Sequence, residues 1–313
     1  MECILPVSCA LFVGLLTLIA GPVARAQEVQ VEVAQAPMGF TVANTETSDT
    51  GWEDKTIEPS GVVPIGDSSL LLVACDKNEN LIVVEAATGR VKQWLGQVTL
   101  DKRPKWEDLA YDDEGTLYVV GSRLFEDRAE VGAQKKLMAV ARLLRFRLRS
   151  VGADGTSLVI DPESIDRWDI SEALAAEGYY RDPRKNEVNI EGLTVRTLRD
   201  PLGHPTLREL VIGLREPHNP IRVYAADITA RPTPNAKLAL KPLFTFDAGE
   251  RAGIRSQLSS IDYMPEWNGF LILTSTEDKN NRFQGNTLWF PSNEKISASH
   301  PAELPPDKLK LAD

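Results

Sequence analysis

Two stretches carry the same pattern: Trp106-Glu107-Asp108-Leu109-Ala110-Tyr111 leads through Asp112-Asp113-Glu114-Gly115 to Thr116-Leu117-Tyr118-Val119-Val120-Gly121-Ser122-Arg123. Asn189-Ile190-Glu191-Gly192-Leu193-Thr194-Val195 likewise leads to Glu209-Leu210-Val211-Ile212-Gly213-Leu214-Arg215-Glu216. In both, an acidic residue opens a short alternating strand, a polar turn or connection follows, and a mostly apolar second strand ends on an arginine. A repeat of this kind decides architecture ahead of any motif, because each unit is one supersecondary element that buries its faces only against its neighbours.

The pattern recurs more faintly at Ser60-Gly61-Val62-Val63 with Leu70 to Asp76, and at Ser259-Ser260-Ile261-Asp262-Tyr263 with Gly269 to Thr276. Ser60, Glu107, Glu191 and Ser259 thus hold one equivalent position, two residues before an aliphatic side chain. Each unit offers two further strands. The first has Leu81 to Glu85 and Val91 to Trp94, and the second Arg142 to Arg149 and Ser157 to Asp161. The third has Ile221 to Ile228 and Leu243 to Asp247, and the fourth Thr287 to Phe290 and a weaker run near Lys295 to Ser299. Four short antiparallel strands repeated in this way bury both sheet faces by radial stacking, so the expected fold is an all-β, β-propeller domain. Four blade units are recognisable, with five or six blades left open. If the Ser/Glu position starts the innermost strand, those side chains meet at one channel mouth.

Residues 1–26 read as a signal peptide: Ile4 to Ala20 is strongly apolar and Ala24-Arg25-Ala26 is an A-x-A cleavage pattern, leaving Gln27 first in the mature chain and implying a periplasmic or secreted protein. The remaining division is an N-terminal segment over 27–57, the propeller over 58–300 and a tail over 301–313. The formal net charge of −10 survives cleavage, since one Glu and one Arg leave together. Nucleic acid as a partner is excluded by that balance, and no later run reaches the ~20 apolar residues of a membrane span. Cys75 is the single cysteine of the mature chain, so it reads as a small buried hydrophobe outside any intramolecular disulfide.

Residues 125–188 stretch the second unit. A short helix is expected there, with Asp169 and Glu172 at capping-box spacing and Gly178 as its stop; such long loops on a rigid scaffold are where binding surface is built. Arg145, Arg147 and Arg149 alternate and read as a solvated strand face. The three histidines have no zinc spacing, no nucleophile elbow or phosphate loop is present, and Asp112 to Gly115 lacks calcium-loop spacing and reads as a hairpin turn.

What remains is a convergent set. Glu107, Glu191, Arg123 and Arg215 are joined by Asp76, Ser122, Thr276, Glu277 and Asp278 near equivalent strand ends. Oxygen ligands of this kind suit a hard divalent cation such as calcium, with Glu107 and Glu191 as its ligands, while the arginines suit an anion. The structural alternative is mutual pairing of Glu107 with Arg123 and Glu191 with Arg215.

On these same segments, above all Asn189 to Leu193 with Leu210 to Pro217, the chain resembles the bacterial proteins grouped as domain of unknown function 3616, in motif order from about Glu58 to Phe290. That resemblance implies a β-propeller with no established activity, and more distantly the esterase-like domain of phytase and the gluconolactonase-type hydrolases. Ser60 and Ser259 stand where a metal-binding propeller would place carboxylates, and Arg123 follows Ser122 where many relatives have histidine. Three readings follow. The first is an exported propeller binding a small molecule, ion or partner. The second is a metal-assisted hydrolase of a phosphoester or lactone, with the two glutamates as ligands and the two arginines on the substrate. The third is a protein-binding scaffold using 125–188.

Overall fold

The computed structural model describes residues 59–66, 68–75, 81–95, 105–122, 142–151, 157–179, 189–216, 220–230, 238–251, 253–278, 283–290, 302–303 and 308–309. They form a β-propeller of four blades. Blade 1 is β1 (Pro59–Pro64), β2 (Leu70–Cys75), β3 (Leu81–Glu85) and β4 (Val91–Trp94), paired in that order. Blade 2 runs β5 (Lys105–Tyr111), β6 (Leu117–Ser122), β7 (Arg142–Phe146) and β10 (Asp166–Asp169). Blade 3 runs β11 (Asn189–Arg199), β12 (Pro205–Glu216), β13 (Ile221–Asp227) and β14 (Lys241–Phe246), with β20 (Ala302–Glu303) added in parallel. Blade 4 runs β17 (Gln257–Met264), β18 (Gly269–Glu277), β19 (Phe283–Trp289) and β21 (Lys308–Leu309). Two hairpins stand apart, β8 (Leu148–Val151) with β9 (Ser157–Ile160) and β15 (Glu250–Arg251) with β16 (Ile254–Arg255). Residues of the 301–313 segment therefore join two blades.

Strand alternation explains how the blades stack. On β2 and β3, Leu72, Ala74, Leu81 and Val83 face blade 2 and pack with Trp106, Leu109, Val119 and Phe146. Leu71, Val73, Cys75, Ile82 and Val84 form a cluster on the opposite face. A sheet buried on both faces reads as a continuous apolar run, as Leu70 to Cys75 does. Blades 2 and 3 meet through Val120, Leu143, Leu193 and Ile212, and blades 3 and 4 through Val211, Val223, Ile261 and Phe270. At about 25 cal/mol per Å² of apolar surface buried, these wedges are the main stabilising term of the fold.

The first strand of each blade is innermost, and β1, β5, β11 and β17 stand side by side in that order. Their approach is close enough to need glycine: a Cβ at Gly61 would lie 2.6 Å from Asp108 Cα, and one at Gly192 2.6 Å from Ile261 Cγ2.

Several expectations are corrected outside the inner strands. Ser157–Ile160 does not complete blade 2; it pairs with β8, and β10 takes the outer position. Arg145 is no solvated side chain, since Nη1 donates to Asp166 Oδ2 at 3.0 Å and burial covers both partners. The chain breaks its strand between Phe146 and Leu148, which ends the alternation that the reading of Arg145, Arg147 and Arg149 assumed. Helix α1 (Ser171–Ala176) starts with Ile170 at the N-cap and no side-chain cap, because Asp169 is the last residue of β10. Gly178, at φ 92°, does stop it. Ile170, Leu174 and Tyr179 are buried between blades 2 and 3, so this part of the insertion serves the core rather than an open binding surface. The Lys295 to Ser299 run lies outside the described residues, and β21 pairs with β19 instead. Cys75 is buried and unbridged. No helix among the described residues is long and apolar enough to cross a membrane.

Candidate functional site

Every inner strand breaks register at the same place. Pairing skips Ser60 on β1, Glu107 on β5, Glu191 on β11 and Ser259 on β17, so each of the four repeat residues is the extra residue of a β-bulge. A bulge leaves its residue out of the ladder and bends the strand, which re-aims the side chain. All four sit at the end where the inner strands begin, and this end is one mouth of the propeller.

Two of the bulged residues make neutral bonds, one across a blade boundary and one within its own blade. Ser60 Oγ donates to the carbonyl of Trp106 in blade 2, and Ser259 Oγ donates to Ser275 Oγ at 2.7 Å. Glu191 has a different role. On the facing strand β12 the register also skips Arg215, so acid and base are both bulged out one step apart. Arg215 Nη1 lies 3.3 Å from Glu191 Oε1, Nη2 lies 3.1 Å from Glu277 Oε2 in blade 4, and Nε donates to Gln257 Oε1 at 2.7 Å. Asn189 Nδ2 donates to Glu191 Oε1 at 2.7 Å. The guanidinium is thereby held flat between two carboxylates and an amide, bridging blades 3 and 4. Its side chain is 22% exposed and those of Glu191 and Glu277 are 16% and 32%, so the cluster is covered but open to solvent on one side.

Glu107 holds the matching bulge on β5 and is buried at 7% exposure. Asp76 and Arg123 lie outside the described residues. Thr276 is buried against Ser256, with 2.9 Å between hydroxyls. Of the convergent set, then, the structure brings Glu191, Arg215 and Glu277 together. Among the described residues, no three His, Cys, Asp or Glu side chains stand close enough to share a metal ion.

Two carboxylates that the repeat pattern does not single out stand deeper along the same strands. Asp108, the residue after Glu107, accepts the backbone N–H of Leu193 in blade 3 at 2.7 Å and that of Leu109 at 2.9 Å. Burial pushes its carboxyl well above the usual range against those two bonds, and the negative charges of Asp262 and Glu191 add to the rise. Asp262 accepts from Thr194 Oγ1 at 3.0 Å, and Thr194 Oγ1 in turn accepts from the backbone of Tyr263 at 3.0 Å. Its carboxyl is also raised, again chiefly by desolvation. Asp262 keeps accessible surface although protein packs closely around its carboxyl. A signal for Asp108 exists in the repeat: it fills the position held by Gly61 and Gly192 in blades 1 and 3.

The opposite end of the inner strands carries turns and ion pairs. Asp112 Oδ1 accepts from the backbone of Glu114 and Thr116 at 2.9 and 2.8 Å, and Oδ2 from Tyr118 Oη at 3.1 Å, so Asp112 to Gly115 is a closed hairpin turn. Asp113 pairs with Arg199 and Arg208, which reach over from the long β11–β12 hairpin.

No family model matches the chain, and no curated protein does. Three solved structures that it resembles are remote. It aligns with the β-propeller domain of Myceliophteria thermophila Cps50 at 10% identity and TM-score 0.33, over 75% of this chain and 54% of that one. It aligns with an endo-arabinase from Bacteroides thetaiotaomicron at 12% and 0.42 over 82% of each chain. The PQQ-bound aldose sugar dehydrogenase of Streptomyces coelicolor gives 12% and 0.39 over 81% of each. This chain spans about half the length of the Cps50 propeller domain. Likenesses this distant bring neither an activity nor a ligand to this chain.

Proposed function

We propose that this protein is an exported β-propeller, of the kind grouped as domain of unknown function 3616, that binds a small polar ligand at the mouth where the inner strands begin. The observation behind this reading is the double bulge that pushes Glu191 and Arg215 out of their ladder and clamps the arginine against Glu277 of the next blade. A purely structural pair does not require both partners to leave the ladder, and bulges gather where a side chain is re-aimed at a site.

The charges choose the ligand class. One guanidinium faces two carboxylates, and Glu107 occupies the same position on the neighbouring inner strand. Arg215 donates from Nε to Gln257 and from Nη2 to Glu277 and is ion-paired through Nη1 with Glu191, so an anion would have to displace carboxylates to reach it. A carboxylate has about four acceptor sites, so hydroxyls or a cation can add to Glu191 and Glu277 while both stay against Arg215. The ligand is therefore neutral and hydroxyl-bearing or cationic. This favours binding over the hydrolase reading, in which Arg215 would grip a substrate anion.

The test is thermal melting of the mature protein with sugars, polyols, calcium and phosphoesters, in parent and Glu191→Gln. A ligand at about 100 times its Kd adds ~2.7 kcal/mol to the folded state. Glu191→Gln is expected to cost only about 1 kcal/mol of stability while abolishing that shift. A large stability loss in the variant, with no ligand-dependent shift in the parent, would reduce the cluster to a structural ion pair.

Export belongs to the same proposal. Mass spectrometry of protein from the extracytoplasmic fraction is expected to show Gln27 as the first residue; an intact Met1 on the folded protein rejects cleavage after Ala26.

A further inference from the structure

Large apolar side chains that remain exposed among the described residues all stand at one end of the molecule. Tyr111 closes β5, Leu202 tips the β11–β12 hairpin, and Trp267 sits in the turn between β17 and β18. Each lies where an inner strand hands over to the second strand of its blade, which is the end opposite Glu191 and Arg215. Trp267 is 37% exposed and held edge-to-face on Phe290, with centroids 5.2 Å apart. A supported ring with a free face is a ready partner for a cation or an apolar chain.

Charge is uneven over this end. Over blades 2 and 3 the acids are compensated: Asp113 and Glu114 by Arg208, and Glu209 by Arg196. Beside Trp267 they are not. Among the described residues no hydrogen bond or ion pair reaches Glu266, and Asp262 accepts from Thr194 Oγ1 and a backbone N–H without a cation beside it. The two acids repel one another, since Glu266 contributes to the raised carboxyl of Asp262.

We propose that the turn end of blade 4 is a docking surface for a basic segment of a partner protein, with a lysine or arginine over Trp267 and its charge against Glu266 and Asp262. The exposed ring supplies the apolar and cation–π contact, and the uncompensated carboxylates select the sign of the partner. Tyr111 and Leu202 extend the surface toward blades 2 and 3. The surface is independent of the mouth carrying Arg215 and stands or falls separately.

The experiment titrates the mature protein with hexalysine, with hexaglutamate as the sign control and N-acetyl-lysine amide as a free small cation. Glu266→Gln and Trp267→Ala are each expected to weaken hexalysine about fivefold, the order expected from loss of one ion pair or one cation–π contact. Glu163→Gln removes the same charge from an exposed residue elsewhere and is expected to change nothing. Glu266→Gln keeps the ring and its packing, so it reports even if Trp267→Ala unfolds. An equal loss in Glu163→Gln would show diffuse attraction to an acidic protein and overturn the proposal. Saturation by N-acetyl-lysine amide as tight as by hexalysine would make the surface a small-cation site and overturn it as well. So would absence of hexalysine binding. Loss in Glu191→Gln but not in Glu266→Gln would place the peptide at the other mouth, against this inference and in favour of a cation at the Arg215 cluster.

Discussion

Gly61→Ala is expected to lower the stability of the fold by about 3 kcal/mol or more, at the upper end of overpacking costs. The added methyl would meet Asp108 Cα and Leu109 N at 2.6 Å and Asp108 C at 2.8 Å. Those are backbone atoms of the neighbouring inner strand, and they retreat only if blade 2 moves away from blade 1. Gly213→Ala is the informative comparison. Its methyl would come within 2.4 Å of Leu258 Cδ2, the end of a flexible side chain that a rotamer change removes. Urea unfolding of both variants is expected to place Gly61→Ala well below Gly213→Ala. Equal costs would mean that the inner strands of blades 1 and 2 separate easily and that the axis is loosely packed.

Asp108→Ala is the second large effect, about 2 kcal/mol at pH 5, because it leaves the Leu193 N–H and the Leu109 N–H buried without their acceptor. The pH dependence has a definite sign. The folded carboxyl is raised above the ~3.9 of an unfolded Asp, mainly by burial. A raised carboxyl contributes stability that is complete below the unfolded value and is lost as pH rises through the folded value. Asp108→Asn removes that titration, so the stability of the parent minus that of Asp108→Asn is expected to be largest near pH 4 and to shrink toward pH 8. Denaturant midpoints across that range check it. A difference growing with pH would mean that the two backbone hydrogen bonds outweigh desolvation and that the carboxylate, not the acid, is the stabilising form.

The strand pairs that open each blade were legible because their chemistry is local. A period of two, turn residues such as Asp112 to Gly115, and a recurring Ser/Glu two residues before an aliphatic side chain are all written along the chain. Blade 1 is bounded as its sequence implies, Leu81–Glu85 and Val91–Trp94 included. The outer strands were harder. Ser157–Ile160 has strand chemistry and is a strand, but its partner is β8, and nothing local to β9 distinguishes that hairpin from the edge of a blade. Asp166–Asp169 joins blade 2 by packing Trp168 into the core, a contact with residues far along the chain.

The candidate site divides in the same way. The sequence by itself determined that Ser60, Glu107, Glu191 and Ser259 are equivalent and that Glu191 and Arg215 stand near equivalent strand ends, because strand position is a one-dimensional property. Only the tertiary structure decided that all four are bulges, that Glu277 and Gln257 of the next blade complete the clamp on Arg215, and that Asp108 binds Leu193 across a blade boundary. Those relations join residues on different blades, and a repeat pattern carries no record of which side chains a radial stack brings within 3 Å. The charge balance around Trp267 is of this second kind too, since compensation depends on which arginines reach across the turn end, and that reach is fixed by the length and lean of the β11–β12 hairpin.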